Sequence, residues 1–206
     1  MAIFVIRHGE TPGNAARVVQ TAETQLSARG IEQAERLARR LADEDIGGIL
    51  ASDLARAAMT ADRLAAVTGA SVTPEPLLQE RNFGAVRGRA YADLGFDLFA
   101  PDFEPLEGES WSVFHARVTR AWVRIRAVAA ATPGHLAVVT HGLVCHSLVQ
   151  HHFSLVSLVP PVEIPLRFDN TSLTIVEAAA PWAVRRLNCS AHLGPDSAAN
   201  SKGGAV

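Results

Sequence analysis

The stretch AIFVI at residues 2–6 runs apolar without alternation and then delivers Arg7, His8, Gly9 and Glu10 in immediate succession. HLAVVTHG, at 135–142, repeats the pattern: an apolar run that ends in His141 and Gly142. Short apolar runs of this kind belong to strands buried on both faces, as in a parallel sheet covered by helices. A buried strand that carries a cation, an imidazole and an acid at its end implies that this end faces a cleft. In open α/β sheets ligands bind beyond the carboxyl ends of the strands. Two histidines far apart in sequence are therefore expected to become neighbours.

The rest of the chain reads as strands alternating with helices. Ser27 is placed to cap a helix whose apolar face is Ile31, Ala34, Leu37, Ala38 and Leu41, with Arg36, Arg39 and Arg40 largely on other faces. GGILAS (47–52) reads as a second strand and residues 54–69 as a second helix ended by Gly69. ASVTPEP reads as a short strand stopped by prolines. Ser110 should cap a long helix carrying Trp111, Phe114, Val118, Trp122, Ile125 and Ala129 on one side. A helix should follow from 143, then two late strands around SLTIVEA and AVRRLN. Between 77 and 109, glycines, prolines and scattered aromatics break any period, so an irregular insertion with one short helix is expected. The fold class that follows is α/β: a three-layer α/β/α sandwich with a mostly parallel sheet and helices on both faces.

With 206 residues, 48% of them apolar, the expected organisation is one domain over 1–192 and a disordered tail over 193–206, where apolar periodicity is lost. A net charge of -2 gives no global attraction for nucleic acid or an anionic membrane, so anion recognition must be local. Of the 19 basic residues only Lys202 is a lysine, which leaves planar, permanently charged guanidinium groups for any site. Cys145 and Cys189 form no CxxC pair or disulfide framework. With no basic leader and no long apolar segment, a soluble protein of the reducing cytoplasm is expected.

Five segments, RHGETPGN (7–14), LSARGIEQA (26–34), ASDLARAAMTA (51–61), LQERNFGAVRG (78–88) and VVTHG (138–142), resemble in order the motifs of the histidine phosphatase superfamily. The branch resembled holds cofactor-dependent phosphoglycerate mutases and small-molecule phosphatases. The resemblance spans residues 2 to about 190 and implies a phosphoglycerate mutase-like fold. It also implies roles. His8 is the nucleophile that forms a phosphohistidine; a neutral imidazole suits attack on a phosphomonoester dianion, which repels anionic nucleophiles. Arg7, Arg56 and His141 stabilise charge on the equatorial oxygens. Asn14 and the backbone at Gly142 contribute donors to the phosphate. Glu80 protonates the leaving group, which requires its pKa to rise. No cofactor or metal is implied, and the expected partner is a small phosphorylated metabolite.

Simpler readings exist for some of the same residues. Asn14 can cap the turn at GNAAR, and Arg56 in an Arg-rich chain can be a solvated helix residue. Glu10 reads as structural, held near arginines or a helix start. His146, His151 and His152 suggest a metal site with His141, but on a helix His146 shares its face with Val149 and Gln150, and no carboxylate joins them. The aromatics of the insertion divide between core and pocket. Two departures from the family bear on substrate. Where the mutases resembled carry a basic cluster, residues 89–109 hold one arginine and six carboxylates, which ranks phosphatase above mutase. Where many relatives have Trp-Glu-Gly, this chain has Val86, Arg87 and Gly88. The remaining alternative is a phosphate-binding regulatory protein with little turnover.

Overall fold

A computed structural model describes residues 1–158, 163–165 and 167–194. Its centre is a six-stranded sheet in the order β3-β2-β4-β1-β5-β6. The strands are β1 (Ala2–Arg7), β2 (Ile46–Ala51), β3 (Val72–Pro74), β4 (His135–Thr140), β5 (Leu173–Glu177) and β6 (Val184–Cys189). Pairs β1/β4, β4/β2 and β2/β3 are parallel, while β5 runs antiparallel to both β1 and β6. Only β5 opposes the common direction.

The two-residue period of the strands sorts their side chains onto two cores. On one face Ile3, Val5, Leu136 and Val138 meet Phe114, Val118, Ile125, Val144 and Leu148. These come from α4 (Trp111–Ala131) and α5 (Gly142–His152). On the other face Phe4, Ile6, Ile49 and Val139 meet Leu37, Leu41, Ala57, Ala61 and Leu64 of α2 (Ala28–Arg40) and α3 (Ala55–Thr68), with Leu41 at the α2 C-cap. The three layers expected from the sequence are present, because β1 is buried along its whole length and needs helices on both sides.

Local signals set the helix limits. The Ser27 hydroxyl accepts from Gly30 N–H, Ser110 caps α4 through Val113 N–H, and Gly69 ends α3 in the left-handed region at φ 71°. A short α1 (Pro12–Ala16) begins at Thr11. The insertion differs from expectation. In place of one short helix it holds 3₁₀ turns at Gly84–Val86 and Tyr91–Asp93, preceded by another at Pro76–Leu78. Its irregular backbone is fastened by arginine side chains, which leave no periodic signal. Of the expected tail, Leu193 closes a 3₁₀ turn that begins at Ala191, and residues 195–206 lie outside the described residues.

Candidate active site

Strands β1 and β4 are parallel neighbours with Arg7 opposite Thr140, so the residues that follow emerge side by side. The His8 and His141 rings lie 5.1 Å apart between centroids, as the paired strand ends imply. Both are buried, as are Arg7, Asn14 and Arg56.

His8 Nδ1 lies 2.7 Å from the Gly9 carbonyl oxygen. A carbonyl only accepts, so Nδ1 carries the proton and Nε2 keeps its lone pair. Burial, followed by the cations Arg56 and Arg7, pushes the His8 pKa well below its ordinary 6.5. A neutral ring with a free Nε2 is the form that attacks phosphorus. Its backbone is held as well: Asn170 Nδ2 donates to the His8 carbonyl at 3.1 Å and Gly9 N–H donates to Thr60 Oγ1 at 3.1 Å.

Around this ring are buried donors with no partner among the described residues: Arg7 Nε, Asn14 Nδ2, Arg56 Nε and His141 Nδ1. Each side chain is fixed by another atom. Arg7 Nη1 donates to the Phe168 carbonyl, and Arg56 Nη1 to the Thr21 carbonyl at 3.0 Å. Asn14 Oδ1 accepts from Thr11 N–H at 3.2 Å, which fixes the amide orientation and directs Nδ2 elsewhere. Asn14 thus serves as a turn cap through oxygen while its nitrogen stays available. Burial lowers the Arg56 pKa to about 10, so the group remains a cation at neutral pH.

His141 differs from the standing cation the family resemblance suggests. Burial, then Arg56, His8 and Arg7, lowers its pKa well below 6.5. Ser52 Oγ accepts from Leu54 N–H and lies 2.8 Å from His141 Nε2. With the serine hydroxyl donating to Nε2, the ring proton sits on the unpartnered Nδ1. His141 is then a neutral donor that an arriving dianion would push toward the charged form.

Glu80 sits on the cleft wall, partly buried, and caps α5 from a distance of 63 residues in sequence. Its Oε2 accepts from Leu143 N–H at 3.1 Å and its Oε1 from Arg81 N–H at 2.9 Å. These bonds and the cations Arg56 and Arg7 favour the carboxylate, but burial outweighs them and raises the pKa above its ordinary 4.5. The α5 start beside Gly142 therefore spends its Leu143 N–H on the carboxylate. A cleft lined by His8, Gln20, Thr21, Arg56, Glu80, Phe83, Arg87 and Tyr91 opens beside these groups. Phe83, Tyr91, Phe99 and Phe103 of the insertion all belong to or pack on the core, and of these Phe83 and Tyr91 also line the cleft.

Several residues that set this geometry were not singled out from the sequence. Arg117 Nη1 donates to the Leu77 and Gln79 carbonyls at 2.8 and 2.7 Å, and pairs through Nε with Glu109 at 2.7 Å. Arg81, 1% exposed, donates to the Glu109, Leu98 and Phe103 carbonyls and lies 3.9 Å from the Trp111 ring centroid. Together they hold the irregular chain on either side of Glu80. Ser52 and Thr60 lie inside the segment ASDLARAAMTA (51–61), whereas Asn170 and Arg117 carry no local signal.

Glu10 is structural: its carboxylate accepts from Ser27 Oγ at 2.9 Å beside the start of α2, and Arg29 lies 3.8 Å away. His115 and His151 pack ring to ring at 4.8 Å and His152 stacks on Trp122. Among the described residues no group of three or more His, Cys, Asp or Glu is arranged to hold a metal ion.

The family model of the histidine phosphatase superfamily (branch 1) matches residues 3–190. The chain belongs to that superfamily. A relative from Yersinia enterocolitica, named "Probable phosphoglycerate mutase GpmB", is 30% identical over 94% of this chain and 95% of its own. The solved alpha-ribazole phosphatase from Shigella flexneri superposes with a TM-score of 0.77 at 26% identity, over 93% of this chain and 98% of that one. A mycobacterial glucosyl-3-phosphoglycerate phosphatase superposes with a TM-score of 0.73 at 25% identity, over 91% and 98% of the two chains.

Proposed function

We propose that this histidine phosphatase hydrolyses a small phosphomonoester by way of a phosphohistidine at His8. The observation that carries the reading is the set of buried donors on Arg7, Asn14, Arg56 and His141, each without a partner among the described residues, around an imidazole whose Nε2 keeps its lone pair. Buried polar groups are ordinarily satisfied, so several in one place point to an anionic ligand with several oxygens. In-line attack by Nε2 forms the N–P bond while the ester oxygen leaves with a proton from Glu80. Glu80 then takes a proton from the water that cleaves the phosphohistidine, which releases phosphate and restores the acid. No step requires a metal or a second phosphorylated cofactor.

Hydrolysis is favoured over mutase activity by the stretch 89–109. Its one arginine, Arg89, is exposed and donates to the Asp93 carbonyl, so the segment itself brings no cation to the cleft. The two free thiols, Cys145 and Cys189, fit a reducing cytoplasm. Among the described residues no helix is long and apolar enough to cross a membrane.

The test is hydrolysis of p-nitrophenyl phosphate and a panel of alkyl phosphomonoesters in EDTA, with labelled phosphoenzyme trapped during turnover. Turnover should persist in EDTA, and the label should be acid-labile, base-stable and absent from His8→Ala. Undiminished label in His8→Ala would sink the assignment of the nucleophile.

A further inference from the structure

One cation on the cleft wall has no role in the chemistry above. Arg87 lines the same cleft as His8, Arg56 and Glu80, and is partly exposed to it. Its backbone is tied on both sides. Arg87 N–H donates to the Gly84 carbonyl at 3.2 Å, and Gly88 N–H to the Val19 carbonyl at 2.7 Å. Val19 N–H returns a bond to the Arg89 carbonyl at 2.9 Å, and Val18 bridges to Ala90, so a short two-stranded ribbon presents residue 87. Among the described residues its guanidinium makes no hydrogen bond or ion pair. Arg7, Arg56, Arg81 and Arg117 contrast with it, since each donates to a backbone carbonyl.

A guanidinium held by its backbone and left unpaired beside a second cation is suited to a ligand that brings its own negative charge. Burial first, then Arg7 and last the repulsion from Arg87 lower the affinity of Arg56 for its proton. An anion in the cleft relieves that repulsion. The scissile phosphate already has Arg7 and Arg56, so the charge facing Arg87 belongs to the other end of the substrate.

We infer that Arg87 is a specificity residue for the alcohol part of the substrate, selecting phosphomonoesters that carry a second anionic group, carboxylate or phosphate. The inference rests on the phosphatase reading and narrows its substrate class. Glu23, which is exposed, feels the same cation but forms no ion pair with it among the described residues.

Matched pairs test this: 3-phosphoglycerate against glycerol 3-phosphate, which differ by a carboxylate in place of a hydroxymethyl group, and fructose 1,6-bisphosphate against fructose 6-phosphate. Wild type should favour the doubly anionic member in kcat/KM, mainly through KM. Arg87→Gln should shrink that preference about tenfold, the lower range for one charge-assisted hydrogen bond at a partly exposed site. Arg87→Lys should retain part of it. A response in the first pair alone assigns the site to carboxylates, and in the second pair alone to a second phosphate. Equal efficiencies within both pairs in wild type, or an equal loss for both members in Arg87→Gln, would overturn the inference. Failure to hydrolyse any of these compounds or p-nitrophenyl phosphate counts against the phosphatase reading instead. Calorimetric Kd values for the same pairs still decide the role of Arg87 in that event.

Discussion

At Arg56 the side chain is divided in its duties. Nη1 is committed to the Thr21 carbonyl, while Nε and Nη2 have no protein partner among the described residues and present one planar edge. Such an edge matches two phosphate oxygens, and its donors tighten as charge spreads in the transition state. Arg56→Ala should lower kcat/KM by roughly two to three powers of ten. Arg56→Lys should recover only a small part, since an ammonium reproduces neither the fork nor the anchor on Thr21; near wild-type rates in the Lys variant would contradict a bidentate role. Glu80 permits a sharper separation. Glu80→Gln keeps the size and one acceptor but cannot give a proton. Single-turnover phosphorylation of His8 by alkyl phosphates should therefore slow far more than by nitrophenyl phosphate, whose leaving group departs largely unaided. Equal slowing of both in that step would remove Glu80 as the acid.

The elements meet at the site through two glycines. A side-chain carbon on Gly30, in the first turn of α2, would lie 1.9 Å from the Glu10 carbonyl oxygen, and one on Gly9 would lie 2.5 Å from the Gly30 carbonyl oxygen. The loop that leaves β1 with His8 is thus pressed directly on the backbone of α2, with Glu10, Ser27 and Gln33 bonded across the contact. Gly30→Ala should push the loop outward, cost about 2 kcal/mol or more in stability, and lower kcat more than a surface change of equal stability cost. Urea unfolding and turnover measured on one preparation check both. A variant as stable and as active as wild type would show that the contact is looser than this geometry requires.

For the whole molecule the histidines couple stability to acidity. Burial is the first cause that lowers the pKa of His8, His115, His141, His146, His152 and His192, the last to about 4. In the unfolded chain these rings titrate near 6.5, so as pH falls through that value the unfolded state binds protons that the folded state refuses. Stability then rises with pH in this window and is lost on the acid side. Glu80 has the opposite sign: its raised pKa makes the folded state the better proton binder above 4.5, so a single carboxyl offsets a small part of the loss. Urea midpoints should fall steadily from pH 7 to pH 5, and replacing solvent-side His152 with Gln should make the slope shallower without changing catalysis. A midpoint flat over that range would contradict the burial of these rings.

Much of the layout was readable along the chain because it depends on local period and punctuation. The apolar run at 2–6, Ser27, Gly69 and Ser110 mark where strands and helices begin and end by forces acting within a few residues, and the spaced motifs bring His8, Arg56, Glu80 and His141 into view. The α5 cap formed by Glu80, the Ser52 bond that places the proton of His141, the grip of Arg117 on the Glu80 segment and the bond from Asn170 to the His8 backbone were not readable in the same way. Each joins residues dozens to more than a hundred positions apart. Such contacts exist only once the sheet has set its strand order, and no spacing in the sequence encodes which carbonyl a buried arginine will reach. The same limit explains the insertion: its turns are held by Arg81 from within and Arg117 from α4, each reaching carbonyls far along the chain, so packing against the surrounding layers decides its shape and with it the setting of Glu80.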